Sequence, residues 1–260
     1  MSHILQQIVH TKLAEVERAK ALRPQAEVER AAAAAPSCCS LSHSLRTVSG
    51  GIIAEFKRRS PSKDWINREA RVAEVIPAYT AAGAAALSVL TDTTYFGGSL
   101  DDLAEARRHT VLPLLRKDFV VDAYQLYEAR AAGADACLLI AAVLGADACH
   151  QLAELAHRIG LEVLLEVHAA SELDACGPHV DVIGVNNRDL RRFCTDPALS
   201  AQLYPQLPQG PVRISESGLL QPAVARELRL LGYQGFLVGE AFMRQPQPGE
   251  ALRAYLNELL

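Results

Sequence analysis

From residue 50 onward, short apolar runs return at intervals of roughly 20–35 residues, and nearly every run ends in polar or charged residues. The runs fall at 51–56, 85–90, 111–116, 136–140, 162–165, 182–185, 212–215 and 235–238. They are too short for buried helices and have the length of strands buried on both faces. Helical patterns fill the gaps at 70–82, 99–108, 123–132, 147–159, 170–175 and 222–231, with a last one at 248–260. Gly83, Gly133, Gly160 and Gly232 follow helices, as residues that end a helix in the left-handed conformation do. Eight strands with helices between them predict an α/β protein, a single (β/α)8 TIM barrel over residues 49–260. The rival is an open doubly wound sheet. It calls for a glycine-rich turn after its first strand, and Lys57-Arg58-Arg59-Ser60-Pro61 is not one.

Residues 1–48 precede this plan. Ile4, Ile8, Leu13 and Val16 recur at helical spacing, with Lys12, Glu15, Glu17 and Arg18 between them. A second helix is expected over 26–35, ending before Pro36, and Ser40-Leu41-Ser42 suits the cap of a third through Leu45. So small a segment cannot bury a core of its own, so it is read as a helical extension packed on the barrel. The 260 residues leave room for one barrel and not for a fused second enzyme.

A net charge of -4 argues against a nucleic-acid partner. No apolar run of about 18 residues offers a membrane span, and the start has no secretory signal pattern. Six cysteines without a C-x-x-C pair fit reduced thiols, with Cys38-Cys39 capping or packing. The eight histidines are scattered and form no metal-ligand spacing. A cytoplasmic chain without a metal site is therefore expected.

In a barrel, the residues at strand C-termini converge on one face. A period of two puts Glu55 and Lys57 on one side of the first strand. Thr91-Asp92 ends the second, Arg116-Lys117-Asp118 the third and Glu166 the fifth. Asn186-Asn187-Arg188-Asp189, Ser215-Glu216-Ser217-Gly218 and Gly239-Glu240 end the last three. Alone, each has a bland reading. Lys117 reads as a surface lysine, Glu166 as half of a structural ion pair, and Glu216 as a helix cap. Asn186 and Arg188 read as a turn, and His168 as a satisfied rim histidine. Two lysines and three glutamates around one mouth are hard to explain as structure, and such mixtures are the equipment of proton transfer. Ser217-Gly218 and Gly239-Glu240-Ala241 end the seventh and eighth strands, where barrels of this class hold phosphate. Glu240 is expected to turn its side chain away from such an anion.

These segments resemble the indole-3-glycerol phosphate synthase family. The matching stretches are Ile53-Ala54-Glu55-Phe56-Lys57-Arg58-Arg59-Ser60-Pro61-Ser62-Lys63, Leu87-Ser88-Val89-Leu90-Thr91-Asp92 with Phe96-Gly97-Gly98-Ser99-Leu100, and Leu115-Arg116-Lys117-Asp118-Phe119. Leu165-Glu166-Val167-His168, Gly184-Val185-Asn186-Asn187-Arg188-Asp189-Leu190, Ser215-Glu216-Ser217-Gly218 and Leu237-Val238-Gly239-Glu240 follow in order.

The resemblance implies ring closure of 1-(2-carboxyphenylamino)-1-deoxyribulose 5-phosphate, with loss of carbon dioxide and water and no metal or organic cofactor, by a chain expected to be a monomer. It implies Lys117 as general acid and Lys57 with Glu166 as the second acid–base pair, which lysine serves which step being left open. Glu55 then orients a lysine, Glu216 and Asn186 line the pocket, and Arg188 helps hold them or the substrate. Ser60, with Lys57, would face the substrate carboxylate, while Ser217, Gly218 and Gly239 would hold phosphate beside Glu240. Neighbouring phosphosugar barrels, such as phosphoribosylanthranilate isomerase or a tryptophan synthase α-like lyase, share the phosphate loops but not this set of lysines and glutamate. A non-catalytic phosphate-binding relative is disfavoured by the presence of Lys117 and Glu166. Two positions depart from the family pattern: Asp64 stands where glycine is usual, and Thr94 where many relatives have lysine. Asp64 is expected to weaken substrate binding slightly, by adding negative charge to the first loop.

Overall fold

A computed structural model of the protein describes residues 3–189 and 194–260. Leu190, the last residue of the sixth-strand motif, lies outside the described residues. The barrel strands are β1 Ile52–Phe56, β2 Ala86–Leu90, β3 Leu114–Lys117, β4 Ala136–Ile140, β5 Glu162–Val167, β6 Val182–Asn186, β7 Val212–Glu216 and β8 Gly235–Val238. Neighbours in sequence are neighbours in the sheet, all pairs are parallel, and β1 pairs with both β2 and β8 to close the ring.

The strand period of two sorts the side chains into two cores. On β1, Ile52, Ala54 and Phe56 pack in the layer shared with the outer helices, whereas Ile53 joins Leu115, Leu164, Ile214 and Leu237 in the barrel interior. Two residues further along, that interior row becomes Glu55 above Ile53, Lys117 above Leu115, Glu166 above Leu164 and Glu216 above Ile214. The apolar plug ends where the charged layer begins, and this sets the floor of the site.

The N-terminal helices α1 His3–Leu22, α2 Gln25–Ala33 and α3 Leu41–Thr47 touch both ends of the barrel. Ser40 caps α3 by accepting from the His43 N–H at 3.0 Å, and the Ser42 N–H donates to Glu162 at the start of β5 at 2.7 Å. Leu41 and Leu45 thus join the interior core from the N-terminal ends of the strands. At the other end, Lys12 of α1 pairs with Asp92 and Asp118, just beyond β2 and β3, at 3.0 and 2.9 Å. Leu5, Ile8 and Val16 of α1 are buried, each contributing about 1.5–3 kcal/mol.

Between strands run α4 Val72–Ala82, α5 Leu100–His109, α6 Tyr124–Ala131, α7 Ala141–Arg158, α8 Ala198–Leu203 and α9 Pro222–Leu231, and α10 Pro248–Leu259 follows β8. Ala170–Ala175 is a 3-10 turn rather than an α-helix. α7 begins earlier than its apolar period suggests, because a turn at its start is joined across Gly145, whose φ of 73° and ψ of 171° break the helix. β3 begins later than expected: Pro113 precedes it and Val111 is exposed. No helix is expected between β6 and β7, yet the six-residue α8 forms there. Two miniature ladders also go unsignalled in the sequence: Arg59–Ser60 with Asp64–Trp65, and Arg188–Asp189 with Cys194–Thr195. No described helix is long and apolar enough to cross a membrane.

Candidate active site

The C-terminal ends of the strands enclose a cavity of about 410 Å3. Lys117 stands at its floor. Its Nζ is 2.9 Å from Glu166 Oε2 and 3.4 Å from Glu216 Oε2. Lys57, just beyond β1, pairs with Glu55. Asn186 and Arg188 come from the end of β6, and Glu240 follows β8; all three line the cavity. Leu138, Phe96, Phe119, Leu219 and Leu237 form its apolar wall, so the charged floor faces a surface suited to an aromatic ring.

Burial works against the Lys117 ammonium, but the carboxylates of Glu166, Glu216 and Glu55 outweigh it and hold its pKa above the ordinary lysine value. The two carboxyls nearest it part ways. Burial pushes Glu166 up, yet Lys117, His168 and Asn186 together hold it below the usual carboxylate range. Burial also raises Glu216, and the Glu166 and Glu55 charges add to this against the pull of Lys117, so that Glu216 reaches about 7. A buried cation, a firmly ionised carboxylate and a carboxyl that titrates near neutrality are together suited to moving protons.

Two glycines make this crowding feasible. A Cβ on Gly184, within β6, would lie 2.2 Å from Glu216 Oε1. A Cβ on Gly239 would lie 2.3 Å from Glu55 Oε2. Glu216 Oε1 is buried without a hydrogen-bond partner, so Gly184 fixes the room available to a carboxyl that already lacks full compensation.

After β7 the chain turns through Ser217 and Gly218, both left-handed, at φ 66° and 74°. Asn187 holds this turn: its Nδ2 donates to Ser215 Oγ and to the Ser217 carbonyl, both at 3.0 Å. A residue with a side chain rarely adopts Ser217's backbone angle, and such strain gathers at functional sites. Consecutive residues of this kind present backbone N–H groups to an anion. Ser217, Gly218 and Gly239 all line one side of the cavity. Glu240 leans toward Arg188, with 3.6 Å between Oε2 and Nη2.

One expected residue is misplaced. Ser60 does not line the cavity; it is 1% exposed and its Oγ is buried. The ladder Arg59–Ser60 with Asp64–Trp65 folds the loop back, turning Ser60 inward and bringing Pro61, Ser62 and Lys63 to the wall instead. Ser62 Oγ accepts from Arg188 Nη1 at 3.0 Å, joining the first and sixth loops. Asp64 does not line the cavity either; it accepts from Arg59 Nε at 2.7 Å on the outer side of that ladder. The sequence assigns no site role to the apolar wall, Ser62, Lys63 or Gly184, and it marks Gly239 for phosphate but not for the room it leaves Glu55. A glycine inside the apolar run of β6 was the one available signal, since it marks a close approach. Among the described residues, no group of three or more His, Cys, Asp or Glu could hold a metal ion.

The family model described as indole-3-glycerol phosphate synthase matches residues 5–255. A protein of Bacteroides thetaiotaomicron bearing that name is 49% identical over 259 residues, covering 100% of both chains. One of Azoarcus sp. with the same name is 46% identical over 261 residues, covering 98% of this chain and 99% of its own. Among solved structures, 3-hexulose-6-phosphate synthase from Salmonella typhimurium superposes with a TM-score of 0.63 at 10% identity, over 80% of this chain and 98% of its own. A mutant tryptophan synthase α-subunit from Pyrococcus furiosus gives 0.59 at 14% identity, over 82% and 98%. The solved structures show only the barrel, whereas the family model and these sequence relatives match along nearly the whole chain, and the chain belongs to the indole-3-glycerol phosphate synthase family.

Proposed function

We propose that Lys117, Lys57 and Glu166 carry the acid–base steps of the reaction that defines this family. The chain is a carboxy-lyase of tryptophan biosynthesis. It closes the indole ring of 1-(2-carboxyphenylamino)-1-deoxyribulose 5-phosphate, releasing carbon dioxide and water. The observation that carries the assignment of roles is the Lys117 ammonium, wedged between Glu166 and Glu216 at the floor of a cavity with one apolar wall.

In this reading the aryl ring lies on the apolar wall and the phosphate sits against Ser217, Gly218 and Gly239. As the aromatic carbon attacks the ketone, negative charge grows on the carbonyl oxygen. Lys117 gives that oxygen a proton, and the cation is already in place before the charge develops. The carboxylate on the attacking carbon then leaves as carbon dioxide. A hydroxyl departs as water with a proton from one of the two lysines, and Glu166 takes the remaining proton. Glu55 orients Lys57, Asn186 steadies Glu166, and Arg188 with Lys63 supplies positive charge near the mouth for the substrate carboxylate. The same reading takes the chain as a cytoplasmic monomer.

The test is turnover of the carboxyphenylamino substrate by the purified chain, followed by fluorescence of the indole product. Lys117→Ala should lower kcat by about 10²–10⁴. Absence of turnover by the parent chain would overturn the reading.

A further inference from the structure

His168 stands two residues beyond Glu166, as Lys57 stands two beyond Glu55. Both pairs place a potential cation on the same side of the strand as the carboxylate before it. His168 does not line the cavity; it lies behind Glu166. Its Nε2 is 3.4 Å from Glu166 Oε1, the oxygen that Lys117 does not hold, and its Nδ1 is 3.7 Å from Glu172 Oε2. Glu172 is itself fixed, because the His168 backbone N–H donates to its Oε2 at 2.7 Å. Neither ring nitrogen has a partner in hydrogen-bond geometry, so the surroundings of the ring act on its charge.

We propose that His168, as an imidazolium, is a positioning residue that keeps Glu166 an anchored carboxylate while Lys117 is without its proton. This rests on the roles assigned above to Lys117 and Glu166. Before the reaction, the Lys117 ammonium compensates Glu166. Once the Lys117 N–H bond breaks and the proton passes to the ketone oxygen, Glu166 loses its near cation in a buried site. A carboxylate left so exposed would draw a proton and could no longer serve as base. His168 supplies a second cation on the other oxygen, which the chemistry leaves untouched.

The charges around the ring favour this state. Glu166 faces it from β5, Glu172 from the following 3-10 turn and Glu216 from β7, with Lys117 beyond Glu166. Burial lowers the His168 pKa, but Glu172, Glu166 and Glu216 outweigh burial and raise it above the ordinary histidine value. Activity should therefore fall as pH rises through that raised pKa. Glu172→Gln should move this limb to lower pH.

The experiment measures kcat and KM across pH for the parent chain, His168→Gln and Glu172→Gln, with the His168 imidazole titrated by NMR in the parent and Glu172→Gln. His168→Gln should lower kcat on the order of ten-fold with KM within about two-fold, and should lose the limb. Glu172→Gln should shift both the NMR pKa and the limb downward together, which keeps the test decisive if His168→Gln folds poorly. A His168→Gln profile equal to the parent's, or a kinetic limb that stays in place while the NMR pKa moves, overturns the proposal. An inactive parent chain instead overturns the function on which it rests.

Discussion

Lys12 is a buried lysine and Lys117 a largely buried one; both are ringed by carboxylates, and they stand near the same end of the barrel. Lys12 meets Glu15, Asp118 and Asp92 at 2.7, 2.9 and 3.0 Å. Lys117 meets Glu166 and Glu216, with Glu55 beyond them. The pair Lys117-Asp118 even hands the chain from one cluster to the other, since adjacent strand residues face opposite ways. What differs is compensation. Asp118 also accepts from Thr91 Oγ1 at 2.6 Å and from Arg116 Nη2 at 3.0 Å, and Asp92 accepts from the Tyr95 N–H at 2.7 Å. Burial raises Asp118, yet Arg116, Lys12 and the Thr91 hydrogen bond bring it down to about 2, whereas burial leaves Asp92 above its ordinary value. Around Lys117 the balance runs the other way, leaving Glu216 at about 7 and opening on a cavity. Burial and pairing alone do not mark a site. An excess of like charge facing empty space does.

The largest expected effect separates the two lysines. Lys12→Met should cost about 3–5 kcal/mol of stability, because it strands Asp92 in a buried place and takes one of two cations from Asp118; denaturant unfolding measures this. Lys117→Ala should instead act on turnover. Stability should be affected much less, since the cavity lets water reach the carboxylates left behind.

A smaller effect separates the carboxyls by pH. Asp118 has its folded pKa depressed from 3.8 to about 2, so its contribution is present above pH 3.8 and lost as pH falls toward 2. Glu216 is raised from 4.5 to about 7, so its folded form holds the extra proton and stability declines as pH rises from 4.5 to 7. Glu216→Gln should flatten the second decline and leave the first, and Asp118→Asn the reverse. Thermal unfolding followed from pH 2 to 8 distinguishes them; a parallel shift of both curves would erase the distinction.

Gly184→Ala tests whether the crowding around Lys117 is built in. Its Cβ must displace Glu216, and misplacements of about 1 Å near reacting groups cost up to about 10²-fold in rate. A kcat equal to the parent's, with the fold intact by circular dichroism, would remove Gly184 from the account.

The charged floor was legible because a strand's period of two is rigid. Once Ile53, Leu115, Leu164 and Ile214 are read as interior, the residues two further along have to surround the mouth. Loops carry no such period. The turn that swaps Ser60 for Ser62 depends on a ladder only two residues long, and nothing in composition announces it. Lys12 was read as one polar residue on an amphipathic helix, and its burial depends on where Asp92 and Asp118 lie in space. His168 was read as a rim histidine because its partner Glu172 sits on a turn whose fold is not periodic. Helix α8 escaped notice because six residues hold less than two turns of apolar pattern.

The smallest effect lies in the first loop, outside both clusters. Asp64 has φ 54° and an exposed ion pair with Arg59. Asp64→Gly should relieve left-handed strain of about 1 kcal/mol, partly offset by loss of an exposed pair worth less than about 1 kcal/mol. KM should stay within about two-fold, because Asp64 points away from the cavity; a larger fall in KM would restore the expectation formed from its charge alone.

On the proposed function, Lys117 serves the chemistry and Lys12 the fold. Single-turnover rates of Lys117→Ala and Lys12→Met, each corrected for the folded fraction, test it most directly. The expected loss is about 10²–10⁴ for Lys117→Ala and less than about ten-fold for Lys12→Met. Equal losses in the two variants, or near-parental turnover by Lys117→Ala, would contradict it.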